Sequence, residues 1–206
     1  AFDMKLDRNS SSTVSLSEVE VIQLLNELRK HKTESQKSYR DYLLVTTMLT
    51  TSLRIAEVLQ MDVSFIRSDN ITGQSYMEII QKKNRVRKVL IPQKLLEEYM
   101  EYAGKHEIKG PVFTNIKNNV SESMVLTQKG SYKIIKGLVE KYLNKSGIGN
   151  HSLRKSFIEL ANKRRISPVS IMKATGHSTL QMIKYYDTTD ELSDNASSDI
   201  AKVLLE

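Results

Sequence analysis

The sequence predicts a mainly α-helical domain with one small antiparallel β-sheet, and three observations support this α+β class. Apolar residues recur at helical intervals in several segments, and capping residues mark the ends of those segments. Two short β-leaning runs, 76–81 and 86–91, are separated by only four polar residues, as in a hairpin. The 206 residues contain no internal repeat and no long low-complexity tract.

The helices are predicted from their caps. Ser17 and Glu20 have capping-box spacing, and apolar residues then follow at helical intervals to about residue 30. The other predicted helices cover about 37–50, a segment from Ser52, 93–103, 127–145, Ser152 to about Arg165, and Ser167 to Gly176.

The end of the chain predicts two more helices. Gly176 is well placed to end one helix and Ser178 to begin the next, so His177 lies between them. The helix after Ser178 would carry Tyr185 and Tyr186. Beyond a polar stretch, a small apolar cluster predicts a tail helix; its members are Ile200, Val203, Leu204 and Leu205.

The composition favours a polyanionic partner. Lys and Arg number 31 against 24 Asp and Glu, which gives a formal charge of +7 and a pI near 9.4. Cysteine is absent, which excludes disulfides, thiolate zinc sites and cysteine nucleophiles. No apolar run approaches the roughly 18 to 20 residues that cross a bilayer, so we expect a soluble cytoplasmic protein without a membrane partner.

The predicted organisation is one main domain at 17–190 between two terminal segments. Residues 1–16 are polar and contain three consecutive serines, so they are predicted to be a linker from an upstream domain. The chain begins with Ala1 rather than methionine, which agrees with such a domain. Residues 191–206 are predicted to be a C-terminal tail that docks on another surface.

Four segments carry residues that packing alone does not explain. They contain Arg54 with Glu57, the hairpin lysine Lys82, His151 with Arg154, and Gly176-His177 followed by Tyr186. Each is weak alone. Arg54 and Glu57, for example, also have the spacing of an ordinary helix ion pair.

The order and spacing of these residues resemble the signature of the tyrosine recombinase (phage integrase) family, from Arg54 to Tyr186. Thr51-Ser52-Leu53-Arg54 with Glu57 is similar to the family's T-G-L-R-x-x-E helix, with Ser52 in place of glycine. His177 follows Arg154 by 23 residues, and Tyr186 follows His177 by 9, as in the family. The resemblance implies the catalytic-domain fold of tyrosine recombinases.

The resemblance also implies a set of roles. Tyr186 would be the nucleophile, and its neighbour Tyr185 would face about 100° away on the same helix. Lys82 would be the general acid, with Lys83 as the alternative. The groups around the phosphate would be Arg54, Arg154, His151 and His177, with Glu57 fixing a charged side chain behind them.

These residue types suit phosphodiester cleavage without a metal or other cofactor. Two guanidinium groups can clamp the scissile phosphate. A phenol is only about 0.1% ionised at pH 7, so Tyr186 needs a base, and His151 is the candidate. No Walker-type glycine loop is present, and strand exchange through a phosphotyrosyl ester needs no ATP.

Further basic residues are expected to contact the duplex backbone. They are Lys83, Arg85, Arg87, Lys155, Lys163, Arg164 and Arg165. By resemblance, the partner is double-stranded DNA and the active assembly a homotetramer in the synaptic complex, with a monomer before DNA binds. The resemblance also implies that the 191–206 tail docks on a neighbouring subunit of that assembly. The family includes enzymes of phages, conjugative elements and chromosome-dimer systems.

Two alternatives to the recombinase stay open from the sequence. A type IB topoisomerase uses similar arginine, lysine, histidine and tyrosine chemistry but relaxes supercoils. A DNA-binding regulator with a helix-turn-helix would perform no chemistry and would leave the spaced residues as coincidence.

Overall fold

The structure is a computed structural model that describes residues 13–81, 84–176, 192 and 195–206. Within these residues it is mainly helical, as the sequence predicts. The helices are α1 (Glu18–His31), α2 (Gln36–Thr51), α3 (Ile55–Val58), α4 (Gln93–His106), α5 (Gln128–Leu143), α6 (Asn150–Lys163), α7 (Pro168–Thr175) and α8 (Ala196–Leu205), with a 3₁₀ turn at Val63–Phe65. None of the described helices is long and apolar enough to cross a membrane.

Two antiparallel sheets accompany the helices. The first has the strand order β1 (Arg67–Ser68), β2 (Ser75–Ile80), β3 (Val86–Ile91). The predicted hairpin is its β2–β3 pair, in which Ser75 faces Ile91 and Ile80 faces Val86. The second sheet pairs β4 (Thr114–Lys117) with β5 (Val120–Val125). The sequence predicts only the first sheet, so the β4–β5 hairpin corrects that expectation.

Helix α2 lies at the centre of the core. All but two of its 16 residues are buried, and α1, α4, α6 and α8 pack around it. A helix buried on every side cannot show the one-sided apolar stripe of a surface helix. Its sequence accordingly lacks a single apolar stripe. It also contains buried threonines such as Thr47 and Thr50, whose hydroxyls hydrogen-bond the Tyr99 hydroxyl and the Thr46 carbonyl.

The predicted capping box of α1 is confirmed, because Ser17 and Glu20 cap each other's backbone N–H groups. Two other helix starts differ from prediction. Arg54 precedes the short α3 as its N-cap rather than lying in its first turn. Helix α6 begins at Asn150, and Ser152 lies inside it, where its Oγ accepts from the Gly149 N–H at 3.1 Å.

The two terminal segments pack on the domain. Leu16 is buried, and its N–H donates to Ser156 Oγ on α6 at 2.8 Å. Residues 13–16, the end of the predicted linker, therefore lie along α6. At the other end, Ile200 and Leu204 of α8 are buried in this chain's own core. Docking of this tail on a neighbouring copy stays a prediction.

Candidate active site

Arg154 lies where three parts of the fold meet. It projects from α6 and is only 7% exposed. One guanidinium nitrogen, Nη1, donates to the Ser52 carbonyl at 2.5 Å, and the other, Nη2, donates to the Thr175 carbonyl at 2.9 Å. The side chain thus joins the end of α2 to the end of α7, and both bonds fix the plane of its guanidinium.

The backbone at Ser52 provides one of these acceptors through an unusual conformation. Ser52 ends α2 in the left-handed region, with φ 54° and ψ 25°. A residue with a side chain pays roughly 1 to 2 kcal/mol there, which explains why this position suits glycine. The turn points the Ser52 carbonyl at Arg154. Arg54 follows two residues later, at the start of α3.

Glu57 holds Arg54 in place. The Glu57 side chain is only 5% exposed; its Oε1 lies 3.3 Å from Arg54 Nη1, and its Oε2 accepts from the Arg54 N–H at 2.9 Å. Arg54 keeps 41% of its side chain exposed. The buried carboxylate therefore anchors a guanidinium that stays accessible to a ligand.

The two arginines form a site that favours an anion. Burial, with a further contribution from the nearby positive charge of Arg54, lowers the pKa of Arg154 to about 9, while Glu57 opposes the shift. Arg154 is therefore still charged at neutral pH. An anion that contacts both guanidinium groups would relieve their repulsion and replace the water that Arg154 has lost.

The turn end of the β2–β3 hairpin is hydrogen-bonded to residues in and just after α3. The Gln60 side-chain amide makes two hydrogen bonds to the backbone of Ile80, at 2.9 and 2.8 Å. Gln81 donates from Nε2 to Glu57 Oε1 at 3.1 Å, and its N–H donates to the Arg85 carbonyl at 2.8 Å. The turn that carries Lys82 therefore starts next to the carboxylate that holds Arg54.

The structure brings three of the six predicted catalytic residues into one region. Arg54 and Arg154 both contact the α2–α3 junction, and His151 is exposed in the first turn of α6. Because His151 and Arg154 are three residues apart, they share one face of that helix. The remaining three, Lys82, His177 and Tyr186, lie outside the described residues, as do Lys83 and Tyr185.

One predicted DNA contact needs correction. Arg87 is only 4% exposed, and its Nη1 and Nη2 donate to the carbonyls of Lys173 and Ala174 at 3.0 and 3.1 Å. A buried guanidinium bound to the end of α7 does not suit a contact with the duplex backbone. Charge and sequence position could not reveal that this strand residue points inward.

The other described basic residues differ in accessibility. Arg85 is exposed beside the hairpin turn. Lys155 donates to the Thr13 carbonyl at 2.8 Å, and Arg164 pairs with Glu18. Lys155 on α6 thus contacts the segment that enters the domain, and Arg164, just after α6, contacts the first turn of α1. A DNA phosphate would have to compete with these contacts.

The sequence did not indicate that Gln81 and two backbone carbonyls contribute to the site. Gln81 is a neutral residue beside Lys82, and the Ser52 and Thr175 carbonyls are backbone atoms without a sequence signature. Ser52 at the family's glycine position was the one available signal, since glycine there indicates a left-handed turn. Among the described residues, no group of three or more His, Asp or Glu side chains could hold a metal ion.

Comparison with known proteins identifies the family. Residues 15–192 match the model of the phage integrase family. The chain is 28% identical to the virulence plasmid integrase pGP8-D of Chlamydia trachomatis serovar L2 over 200 residues, which are 95% of this chain and 55% of that protein. It is 26% identical to tyrosine recombinase XerH of Campylobacter jejuni over 172 residues, 80% of this chain and 46% of that protein.

Solved structures agree on the fold. XerH bound to palindromic difH substrate in a post-cleavage complex superposes with a TM-score of 0.62 at 23% identity, over 86% of this chain and 50% of that one. The integrase from mycobacterium phage Brujita superposes with a TM-score of 0.63 at 16% identity, over 96% of this chain and 60% of that one.

The chain belongs to the phage integrase family, and its fold is that of a tyrosine recombinase catalytic domain. It spans about half the length of the curated relatives it matches.

Replacing Glu57 distinguishes a supporting carboxylate from an ordinary helix ion pair. We expect Glu57→Ala to slow single-turnover DNA cleavage at least about tenfold, because Arg54 loses its anchor and small displacements of reacting groups cost that much or more. Glu140→Ala is the matched control, since Glu140 forms an exposed i,i+4 pair with Lys136 at 3.8 Å. Equal cleavage by the two variants would contradict the role of Glu57.

Proposed function

We propose that this protein is a site-specific DNA recombinase that cleaves and rejoins duplex strands through a 3′-phosphotyrosyl intermediate. The observation that carries the proposal is the convergence of Arg54 and Arg154 on the α2–α3 junction. Family membership, relatives named as integrase and tyrosine recombinase, and the likeness to a recombinase bound to its DNA substrate support it.

The proposed first step is attack of Tyr186 on the scissile phosphorus. The phenolic oxygen forms a bond to phosphorus while His151 accepts its proton. Arg54 and Arg154 neutralise the charge that grows on the two non-bridging oxygens, and His177 donates a further hydrogen bond. Electrostatic groups aimed at developing charge are commonly worth several kcal/mol each.

The second half of the step releases the 5′-oxygen, which takes a proton from Lys82 as the phosphorus–oxygen bond breaks. The strand is then held by an ester between its 3′-phosphate and Tyr186. A 5′-hydroxyl from the partner strand reverses the chemistry, with the same groups exchanging protons in the opposite direction. Because the ester conserves the energy of the broken bond, the proposed cycle uses neither metal nor ATP.

Duplex binding would add contacts outside the reacting centre. Lys83 and Arg85 in the hairpin region are the candidates on one side, and Lys155 on α6 and Arg164 just after it are the candidates on the other. Phosphate would there replace the contacts of Lys155 with Thr13 and of Arg164 with Glu18. Salt dependence of binding would then report how many phosphates the protein neutralises.

Tyr186→Phe tests the nucleophile. The DNA site is first found by selection from a random duplex pool. The intact protein is then incubated with a nicked duplex of that site, and the products are separated on a denaturing gel. The wild type is expected to form a covalent adduct, and Tyr186→Phe is expected to form none because it lacks the attacking oxygen. Tyr185→Phe is the matched control and should retain the adduct.

Three other results would change the assignment of the nucleophile or of the function. An adduct that persists in Tyr186→Phe would assign the nucleophile to another residue. No adduct with the wild type would favour a non-catalytic DNA-binding regulator. Relaxation of a supercoiled plasmid without exchange between two sites would favour the type IB topoisomerase alternative.

We propose that recombination occurs in a tetramer, since exchange between two duplexes breaks four strands and uses one tyrosine for each. In the single chain, α8 fills its own core through Ile200 and Leu204. The proposal is that α8 changes partner on DNA and packs on a neighbouring copy, while the free protein is monomeric. An upstream core-binding domain would complete the grip on the duplex.

Changes in α8 test the assembly. Deletion of 193–206, and Val203→Asp at a half-buried position of α8, are expected to lower the mass of the DNA-bound complex below four copies in size-exclusion light scattering. Circular dichroism of the free proteins checks that each variant is folded. A folded variant that still assembles as four copies would remove α8 from the interface.

A further inference from the structure

The C-terminal end of α7 is held by two arginines from different parts of the fold. Its last three carbonyls accept in turn, those of Lys173 and Ala174 from Arg87 on β3, and that of Thr175 from Arg154 on α6. These carbonyls lie at the C-terminal end of the helix and carry the negative end of its dipole. Two cations therefore fix the point where the chain leaves α7.

Gly176, the next residue, lies against the hairpin. It adopts φ +67°, and an added Cβ would be 2.7 Å from Arg87 Cζ and 2.8 Å from Gln81 Nε2. A side chain at this position would have to displace the ends of the Arg87 and Gln81 side chains. The guanidinium of Arg87 and the amide of Gln81 thus contact the backbone one residue before His177.

Gln81 and Arg87 also bracket the hairpin turn. Gln81 directly precedes Lys82, and Arg87 lies on the returning strand. Gln81 continues the contacts to Glu57, and through Glu57 to Arg54. A chain of described contacts therefore runs from Arg54 through Glu57 and Gln81 to Gly176, and Arg87 closes it onto α7.

We infer that Arg87 and Gln81 are positioning residues that clasp the end of α7 at Gly176 and so hold the β2–β3 hairpin in place for the protonation step proposed for Lys82. The inference rests on the proposed function, because it assigns the effect of the clasp to the protonation step. Neither residue needs to touch DNA. A buried guanidinium is costly to desolvate, and an apolar residue could fill the same strand position, so packing alone does not require an arginine there.

The test compares two leaving groups in single-turnover cleavage by the intact protein. In one nicked duplex the scissile phosphate carries its normal 5′-oxygen, and in the other a sulfur replaces that bridging oxygen. A thiolate leaves without a proton at neutral pH because thiols are far more acidic than alcohols. A defect in placing the general acid should therefore shrink with sulfur.

Arg87→Met keeps the length of the side chain and removes its donors. We expect it to slow cleavage of the oxygen substrate on the order of 10- to 100-fold, as displaced catalytic groups do, with DNA affinity unchanged. With the sulfur substrate the loss should fall to a few-fold or less. Gln81→Met should show the same pattern and is the second variant if Arg87→Met does not fold.

Arg67→Met is the matched control. Arg67 lies on β1 of the same sheet, is exposed, and donates to the Ser64 and Ile66 carbonyls at 3.2 and 3.4 Å, away from α7. It should cleave both substrates as the wild type does. Lys82→Ala is the reference for loss of the general acid and should be rescued by sulfur.

Three outcomes would overturn the inference. Equal losses on both substrates for Arg87→Met and Gln81→Met, with Lys82→Ala rescued, would show that the clasp acts on stability or on another step. Unchanged cleavage by both variants would show that the clasp is dispensable. Failure of sulfur to rescue Lys82→Ala would instead remove Lys82 as the acid, which is a failure of the proposed function, and the inference would fall with it.

Discussion

The site depends on the Arg154 guanidinium, which bonds two backbone carbonyls that are distant in sequence. Ser52 provides one acceptor from the end of α2, and Thr175 provides the other from the end of α7. Through these bonds a single side chain of α6 brings together the segments that carry Arg54 and precede His177. Loss of Arg154 would remove a charge and would also release both backbone segments from each other.

The arrangement around Arg154 includes several unfavourable features. Ser52 is held in a left-handed conformation, Arg154 is largely desolvated, and its pKa is lowered by burial and then by Arg54. Glu57 offsets the positive charge of the two arginines only in part, since its carboxylate is shared with Arg54 and Gln81. A phosphate that contacts both arginines would supply the balancing negative charge. Because these groups are held in place beforehand, their attraction for phosphate is stronger than that of an ordinary surface ion pair.

Sequence reasoning succeeded where the information is local. The capping box of Ser17 and the hairpin between 76–81 and 86–91 follow from neighbouring residues, and both are present. Arg54, His151 and Arg154 were singled out by their order and spacing, and their roles stay predictions. The sequence misled where tertiary packing decides. Arg87 belongs to an alternating strand whose inward face is known only once α7 packs on it. Strand β4 is short and mostly polar, and β5 is mostly exposed, so this hairpin gives little apolar signal.

The central claim is that the paired arginines act on the charge of the scissile phosphate, and a neutral phosphate tests it most directly. A methylphosphonate replaces one charged non-bridging oxygen by a methyl group. Arg54→Ala should lose cleavage on the order of 100-fold or more on the normal phosphodiester, and far less on at least one methylphosphonate diastereomer. Equal losses on the phosphodiester and on both diastereomers would contradict the claim.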